Sequence, residues 1–376
     1  MHHNVSKLIV LVSATAVGFL TAAQILPATA AYRFSDFKGR PPIHVRTSGG
    51  ASPSGMTPTQ IKAVYHLPTS GGKGTIAIVD AYNASTIEAD LATFNNAFKL
   101  PACTVKNGCL EQHFMASSTA TDSGWALETA LDVEWAHAIA PSAKILLVEA
   151  KTPSGANLLS AVDYAAARKD VVAVSMSWGG DEFSDETTLD SHFASKYGAI
   201  FFASSGDDGA GASWPASSPN VVGVGGTTLA LSSTGAFASE SAWSGSGGGV
   251  SAYEAEPSYQ KTYKIPKANS MRAIPDVSFN ADPASGYPIY KTTGTGKNGW
   301  YTVGGTSAGA PQWAAIQALG GTASLAKIYT DKALTKTLQY FRDITSGSNG
   351  DCTYYCNART HYDYVTGLGS PLTVKF

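Results

Sequence analysis

The regular alternation of short apolar runs with longer helical segments limits this chain's possible folds more than any other feature. The apolar runs are continuous, as is typical of strands buried on both faces of a parallel sheet. The segments between them are long enough to be crossover helices between parallel strands. Predicted strands cover 75–80, 144–149, 171–178, 199–204 and 221–224, and predicted helices cover 86–98, 122–140, 157–168 and 187–197. We predict an α/β fold with a central, mostly parallel sheet and helices on both faces.

Three residues fall at the carboxyl ends of predicted strands, namely Asp80, Trp178 and Asp207. Sites in parallel α/β sheets form where these strand ends meet. We therefore expect the functional site at this edge of the sheet. Glycine-rich turns become frequent after residue 225, but no repeat or domain boundary is visible, so residues 56–376 are predicted to form a single domain.

The first 55 residues are predicted to precede that domain. Lys7, an apolar run over 8–20 and the sequence Ala28–Ala30 are typical of a secretory signal peptide in residues 1–30. Residues 31–55 are rich in Gly, Pro, Ser and Arg, which predicts a linker or a short pro-segment. We expect a secreted, extracellular protein, since no later run is long and apolar enough to span a bilayer.

Charge content indicates which classes of partner to expect, and cysteine spacing indicates which covalent links to expect. Charged residues make up 14% of the chain and the net charge is −2, so we expect neither nucleic acid nor membrane as a partner. The four cysteines form two close pairs, Cys103 with Cys109 and Cys352 with Cys356. Local disulfides are the expectation for such pairs in an exported protein.

The stretch Gly304–Pro311, with the sequence GGTSAGAP, leads from a flexible turn into an alanine-rich helix. Ser307 could simply cap that helix, as serine often does. It could also be a nucleophile, because unpaired N–H groups at a helix start can bind an oxyanion. This stretch alone leaves both interpretations open.

A second stretch, WALETALDVEWAHAIAP over 125–141, carries two acids on one helix face. Glu128 and Asp132 are four residues apart, and Trp135 continues the same face. A solvated acidic face seldom includes tryptophan in register, so the pair is predicted to face a cleft or the interior. Asp132 could then orient Glu128 as the general base for Ser307.

Three other interpretations remain open at this point. Asp80, a later histidine and Ser307 follow the order of a subtilisin triad, although no histidine lies in a glycine-rich helix start. The sequence GTSAG also matches a nucleophile elbow, with Asp343 and His361 in α/β-hydrolase order, which implies an esterase. A non-catalytic secreted binding protein is the third possibility.

Several spaced motifs together resemble the sedolisin family, the serine-carboxyl peptidases. GGTSA followed by Pro311, the E-x-x-x-D acid helix and SGDDG over 205–209 occur in the family's order, together with SMSWGG, GGGVS and PDVS. The resemblance covers about Thr57 to the C-terminus. It implies a subtilisin-like fold and a Ser307–Glu128–Asp132 triad. It also implies that Asp207, when protonated, donates a hydrogen bond in the oxyanion hole, and hence that the enzyme works at acid pH.

The resemblance implies two further sets of residues. One structural Ca²⁺ would be held by the carboxylates of Asp343 and Asp363 and by backbone carbonyls of Ile344, Arg359 and His361. The backbone around Ser177, Trp178 and Gly179 would pair with an extended peptide substrate. We expect protein or peptide substrates and a monomeric enzyme.

The chain departs from the family pattern in three places. Residues 31–55 are shorter than the long propeptide that family members usually carry. Asp208 replaces the serine of the SGDSG motif, which places a second carboxylate beside the expected oxyanion position. Arg359 and His361 stand where the calcium loop more often has glycines.

Overall fold

A computed structural model describes residues 32–117, 120–321, 324–330 and 340–375. The predicted signal peptide lies outside the described residues. The strands are β1 (His44–Gly50), β2 (Thr75–Ala81), β3 (Leu110–Phe114), β4 (Lys144–Ala150), β5 (Val171–Met176), β6 (Gly180–Asp181), β7 (Ile200–Ser204), β8 (Ser213–Trp214), β9 (Val221–Leu231), β10 (Phe237–Ala242), β11 (Gly249–Ala255), β12 (Met271–Ile274), β13 (Val277–Asn280), β14 (Tyr287–Lys291), β15 (Gly299–Gly304), β16 (Phe341–Arg342) and β17 (Ser370–Pro371).

The α-helices are α1 (Pro58–Val64), α2 (Ile87–Phe98), α3 (Ser123–Ile139), α4 (Gly155–Ala166), α5 (Ser258–Tyr263), α6 (Gly309–Ala318) and α7 (Leu325–Thr330). Short 3₁₀ helices cover Phe34–Asp36, Glu186–Phe193, Pro283–Ser285 and Thr306–Ala308. The predicted α-helix over 187–197 is therefore wrong in type and extent. The Glu186 carboxylate accepts a hydrogen bond from the Phe183 N–H and Thr188 bonds back to Asp185, and such local bonds compete with a regular helix.

An eight-stranded sheet forms the centre of the fold, in the order β10-β9-β7-β5-β2-β4-β3, with β13 also paired to β9. Every neighbouring pair in it is parallel except β9 with β10. Helices α3 and α6 pack on one face and α4 packs on the other. The predicted mostly parallel sheet with helices on both faces is therefore confirmed.

Strand β2 shows how the buried strands divide between two cores. Ile76 and Ile78 pack in the core that contains α3, whereas Ala77 and Val79 pack in the core that contains α4. Side chains alternate along a strand, so Asp80 points to the α3 side. That side also carries the acid helix, and the strand thereby brings a third carboxyl toward the predicted pair.

Helix α3 is buried on almost every side. Its cap is the Asp122 carboxylate, which accepts hydrogen bonds from the N–H groups of Gly124 and Trp125. Every described residue from Trp125 to Ile139 except Leu127 is buried. Glu128, Asp132 and Glu134 are consequently removed from solvent by the fold itself.

The segment predicted as a linker or short pro-segment is extended, and it packs along the domain. Phe37 is buried, with its ring 4.8 Å from that of Trp214. Further on, β1 pairs antiparallel with β15, and His44 stands opposite Gly304. The chain between Phe37 and β1 therefore has to cross the edge of the sheet where the site lies.

Both predicted disulfides are present, Cys103–Cys109 and Cys352–Cys356. His137 lies beside the first pair, but the two sulfurs are bonded to each other and cannot act as thiolate ligands. Over the described ranges, none of the helices combines the length and apolar character that crossing a membrane requires.

Candidate active site

Ser307 lies in the 3₁₀ turn that connects β15 to α6. Gly305, two residues earlier, has φ +128°, and a Cβ there would lie 2.5 Å from Asp207 Oδ2, so glycine is required on both counts. Ser307 is fully buried, and its Oγ has no hydrogen-bond partner among the described residues. A capping serine would accept a backbone N–H, so the helix-cap interpretation does not describe this side chain.

The acid pair from α3 lies beside this serine. Glu128 and Asp132 are both fully buried. Ser177 Oγ donates to Asp132 Oδ1 at 2.9 Å and also lies 3.2 Å from the carbonyl oxygen of Ser307, which links the acid helix to the serine turn. Both Glu128 oxygens and Asp132 Oδ2 have no partner among the described groups. Ser307 is nevertheless close enough for its hydroxyl to oppose the rise in the Glu128 pKa.

Burial controls the ionisation of the pair. It raises the pKa of Glu128 well above its ordinary value, and the Asp80 carboxyl raises it further. The pKa of Asp132 rises for the same two reasons, with the Glu128 charge as a third. Like charges in a low-dielectric site cannot all ionise, so the cluster retains protons that exposed carboxyls would have lost.

Asp207 follows β7 and faces the serine turn from the other side. Its Oδ1 accepts hydrogen bonds from the backbone N–H of Thr306 at 2.8 Å and from the Thr306 hydroxyl at 2.7 Å. Its Oδ2 lies 3.1 Å from Nε2 of His44. Burial raises the Asp207 pKa and outweighs the opposing effect of His44.

The N-terminal segment crosses the cleft next to these groups. Arg40 and Gly179 exchange backbone hydrogen bonds in both directions, at 3.0 and 3.1 Å, as neighbours in an antiparallel pair do. Gly39 donates to the carbonyl of Pro153 at 2.8 Å. The carbonyl oxygen of Pro42 lies so close to Gly305 that a Cβ on that glycine would be 2.1 Å away. Residues 39–44 thus lie as an extended peptide across the site.

A cleft of about 390 Å³ remains around this segment. It is lined by residues of the segment itself, by the glycines after β5 and by the loop that carries Asp207. Asp181 and Asp208, both exposed, add acidic groups to its wall. Asp208 also raises the pKa of His44, after the larger effects of Asp207.

Ser177, Trp178 and Gly179, which were expected to bind substrate, lie in three different surroundings. The Gly179 backbone pairs with Arg40, as described above. Ser177 belongs to the acid cluster through its bond to Asp132. The Trp178 side chain is fully buried, and its indole N–H donates to the carbonyl of Val79 at 2.9 Å. Trp178 is not among the residues that line the cleft.

The expected calcium loop brings its residues together. Asp343 Oδ2 accepts the N–H of His361 at 3.0 Å, and Asp363 Oδ2 accepts the N–H of Arg359 at 3.1 Å. Asp343 Oδ1 is buried without a partner, so one hard oxygen remains available for a ligand. His361 has φ +66°, a left-handed conformation that glycine adopts most readily, which fits the glycine expected there. The residues present therefore fit an oxygen-coordinated cation such as Ca²⁺.

The two interpretations that pair Ser307 with a histidine are not supported by the contacts of the described residues. Within the described residues, no hydrogen bond or ion pair joins Ser307 to Asp343, His361 or any other histidine. His137 is buried and its Nε2 contacts the carbonyl of Pro101 at 2.9 Å. A nucleophile elbow also belongs to a different topology from the sheet observed here.

Sequence reasoning did not single out His44 and gave Asp80 no role beside Glu128. His44 lies in a Gly/Pro-rich segment without periodicity, where no local pattern indicates a long-range contact. Asp80 was noted at a strand end, where the site was expected, and as a member of a histidine triad, but not as a neighbour of the acid pair. Its position beside Glu128 could have been inferred from strand alternation, had the α3 face of β2 been known.

Comparison with known proteins gives consistent results. The family model described as the subtilase family matches residues 117–338. Sedolisin from Pseudomonas sp. (strain 101) is 28% identical over 369 aligned residues, covering 86% of this chain and 61% of that protein. Kumamolisin from Bacillus sp. (strain MN-32) is 31% identical over 376 aligned residues, covering 87% of this chain and 64% of that protein. The chain thus spans about three fifths of the length of these curated relatives.

Solved structures show the same relationship. Pseudomonas sedolisin, described as a serine-carboxyl proteinase complexed with two molecules of pseudo-iodotyrostatin, matches with a TM-score of 0.70 and 28% identity, covering 85% of this chain and 96% of that one. Sphericase matches with a TM-score of 0.55 at 17% identity, covering 86% of this chain and 99% of that one, which is a likeness of fold alone.

Proposed function

Because this chain belongs to the sedolisin family and contains the subtilase domain, we propose that it is a secreted serine-carboxyl endopeptidase that acts at acid pH. Its substrates are proteins or peptides bound in extended form along the Gly179 strand. Ser307 is the nucleophile, Glu128 the general base and then general acid, and Asp132 the residue that orients Glu128.

The proposed reaction transfers one proton through Glu128. Ser307 Oγ attacks the peptide carbonyl while its proton passes to the Glu128 carboxylate. When the C–N bond breaks, Glu128 returns that proton to the leaving amine, and the acyl group stays on Ser307. A water molecule then attacks the ester with Glu128 again as base, which releases the carboxylic acid and restores the serine hydroxyl. Asp207 in its protonated form donates a hydrogen bond to the oxyanion in both steps.

One observation carries this proposal. The Ser307 hydroxyl is buried close enough to the Glu128 carboxyl to oppose the rise in the Glu128 pKa, and Ser307 Oγ has no other hydrogen-bond partner among the described residues. A carboxylate is therefore the available base for this serine. The oxyanion role requires a protonated Asp207, and burial raises the pKa of Asp207 in that direction. The base role requires Glu128 to be the ionised member of its buried cluster.

The same proposal gives residues 31–55 the role of a short pro-segment. In its described part, the Arg40 backbone pairs with that of Gly179. The Pro42 carbonyl lies against Gly305, and His44 lies beside Asp207. A peptide substrate needs these same positions. The enzyme is then inactive until the segment is displaced or removed, and acidification favours its release because protonation of Asp207 ends the ion pair with His44.

A structural Ca²⁺ is part of the proposal. Asp343 and Asp363 would hold it with carbonyl oxygens of Ile344, Arg359 and His361. When bound, the ion supplies charge that neutralises the two carboxylates and stabilises the C-terminal loop. It takes no part in peptide cleavage.

The decisive experiment is a pH–rate profile on casein and a peptide library, using the wild-type chain and three variants. Ser307→Ala and Glu128→Gln should each abolish cleavage at acid pH. Glu134→Gln is the matched control, because Glu134 is buried on the same helix but accepts the N–H of Tyr290, a bond that glutamine can keep. Activity retained in Glu128→Gln would overturn the carboxylate-base proposal.

The same assay separates the alternatives. Esterase activity at neutral pH that disappears in His361→Ala would support the Ser307–Asp343–His361 interpretation. Absence of cleavage, together with a Ser307 that does not react with peptide aldehydes at acid pH, would support a non-catalytic binding protein. A chelator added to one arm tests the calcium loop at the same time.

A further inference from the structure

The charged side chains in the walls of the cleft beside Ser307 are all acidic. Apart from the N-terminal segment, the described residues that line this cleft are small residues and three acids, Asp181, Asp207 and Asp208. Asp181 and Asp208 belong to two loops that are joined where Asp181 pairs with Ser213. Both are exposed, and neither forms an ion pair within the described part of the chain. Their charges are therefore available to a bound peptide.

The peptide that occupies the cleft carries the opposite charge. Arg40 and His44 are the two basic residues among the described residues that line the cleft, and both belong to the N-terminal segment. A hydrogen bond to Asp207 raises the pKa of His44, and the charges of Asp207 and Asp208 raise it further. An occupant that is part of the same chain thus shows that this cleft accepts positive charge.

The path of the segment identifies the residue that stands where a substrate would be cut. Arg40 exchanges backbone hydrogen bonds with Gly179. Two residues later, the Pro42 carbonyl oxygen lies against Gly305, and Asp207 Oδ2 lies against the same glycine. The carbonyl beside the oxyanion acid is that of the residue whose peptide bond is attacked. Pro42 therefore occupies the acyl position, the position of the residue that a substrate would transfer to the serine.

The cleft beside Pro42 has room for a longer side chain. Five residues of the segment line the cleft, from Arg40 to His44, and Pro42 is the middle one. A proline ring is short, and a cleft of about 390 Å³ remains around the segment. Part of its wall is the sequence GAGA over 209–212, whose small residues leave space for a long, unbranched side chain. The acyl position thus combines free volume with acidic walls.

We propose that Asp208, together with Asp181, is a specificity-determining residue that selects substrates with lysine or arginine at the acyl position. A long basic side chain in place of the Pro42 ring extends into the cleft and brings its charge toward the two carboxylates. Asp208 replaces the serine of the family motif, so the preference is a property of this chain and not of the motif. The proposal rests on the peptidase function proposed above and names the substrates of that site.

The kinetic test uses matched peptides that differ only at the acyl residue, which is lysine, norleucine or glutamate. At pH 5 and low salt, the wild-type kcat/KM should be about tenfold higher with lysine than with norleucine, and lowest with glutamate. Asp208→Asn should lower the lysine-to-norleucine ratio about fivefold, the upper range for one exposed charge pair. The control is Asp163→Asn, which removes an exposed charge outside the cleft and should leave the ratio unchanged.

Three results of this assay would overturn the proposal. One is a ratio that is the same in Asp208→Asn and in the wild type. Another is a preference for lysine that is greater at the position of Arg40 or of His44 than at the acyl position. The third is a ratio that persists at about 0.5 M salt, because exposed charges are screened there and only selection by shape would remain.

A binding measurement distinguishes failure of this proposal from failure of the proposed function. In a Ser307→Ala variant of the full chain, fluorescence anisotropy of the labelled lysine and norleucine peptides gives the ratio of their Kd values without cleavage. The N-terminal segment competes with both peptides equally, so its effect cancels from the ratio. The lysine peptide should bind about fivefold more tightly, and Asp208→Asn should remove most of this difference.

The two assays together assign each outcome. The expected Kd ratio in a chain whose wild type cleaves no peptide would support selection by Asp208 and locate the failure in the proposed peptidase function. Equal Kd values and equal kcat/KM values in a chain that cleaves peptides would overturn the selection and leave the peptidase function intact. Absence of both binding and cleavage for every peptide would overturn the two proposals together.

Discussion

His44 Nε2 lies 3.1 Å from Asp207 Oδ2 and joins the N-terminal segment to the acid expected to stabilise the oxyanion. Asp207 raises the pKa of His44, chiefly by hydrogen bonding. The ion pair is therefore present at pH values where His44 is protonated and Asp207 is not. It is lost as pH rises through the His44 pKa, and it is also lost as pH falls through the Asp207 pKa.

His44→Gln should release the segment more easily. Without the imidazolium, one of the effects that lower the Asp207 pKa disappears, so Asp207 protonates at a higher pH. We expect the segment to detach at a higher pH than in the parent protein. Hydrogen exchange of residues 38–50, followed against pH in a Ser307→Ala background, measures this release.

A matched control for that experiment is His192→Gln. His192 contacts Asp163 at 2.8 Å with partly exposed side chains, and neither residue lines the cleft. Its substitution should leave the release pH unchanged. An equal release pH in His44→Gln and in the parent protein would show that the His44–Asp207 contact does not retain the segment.

Calcium should stabilise the chain through Asp343. Addition of Ca²⁺ should raise Tm, and Asp343→Asn should remove most of that increase, because the buried Oδ1 is the oxygen without a protein partner. Asparagine can still accept the N–H of His361, so the loop itself should remain folded. Thermal unfolding with Ca²⁺ and with a chelator tests this. An identical Ca²⁺ effect in Asp343→Asn would rule out the carboxylate as a ligand.

Stability should be greater at acid pH than above neutrality. Burial raises the pKa of Glu186 from 4.5 to about 9 and that of Glu254 from 4.5 to about 8. A carboxyl whose pKa is higher in the folded state binds its proton more tightly there, so stability falls as pH rises between the unfolded and folded pKa values. The free energy of unfolding should therefore decrease between about pH 5 and pH 9. Urea unfolding at a series of pH values measures this change.

Glu186→Gln should make that decrease smaller, because the group no longer loses a proton. Glu111→Gln is the control, since Arg168 lowers the pKa of this exposed acid, which is the opposite direction. Its small contribution is present above the unfolded pKa and is lost as pH falls. A pH dependence that is the same in Glu186→Gln and in the parent protein would contradict the assignment.

The sequence predicted the parts of this site that depend on local pattern. Strand 144–149 was predicted and Lys144–Ala150 is observed, because a continuous apolar run is a direct signal of burial. Glu128 and Asp132 could be paired because helix periodicity places residues four apart on one face. The disulfides followed from close spacing in a chain that is predicted to be exported.

The remaining parts depend on long-range relationships that a single sequence does not contain. The pairing of Asp80 on β2 with Glu149 on β4 depends on strand register, which is set by the whole sheet. The contact of His44 with Asp207 depends on the path of an extended segment, which leaves no periodic signal. The burial of the Trp178 ring depends on how the turn after β5 is directed.

The buried pair of Arg272 and Asp276 should be a major determinant of stability. Both side chains are fully buried, with Arg272 Nη2 2.6 Å from Asp276 Oδ2. Asp276 also accepts hydrogen bonds from the Gly223 N–H at 2.7 Å and the Tyr329 hydroxyl at 2.7 Å. Asp276→Ala leaves the guanidinium buried without its partner, and we expect a loss of about 3–5 kcal/mol in the free energy of unfolding.

The comparison for this prediction is the exposed pair of Arg168 and Glu111, which lie 2.7 Å apart with side chains 27% and 51% exposed. Arg168→Gln should cost no more than about 1 kcal/mol, because solvent screens the pair. Urea unfolding of both variants, at the pH where the parent is most stable, gives the two values. A double variant, Arg272→Met with Asp276→Leu, should recover much of the loss in Asp276→Ala, since the penalty comes from an unpaired buried charge. Equal losses in Asp276→Ala and Arg168→Gln would show that the buried pair contributes no more than a surface one.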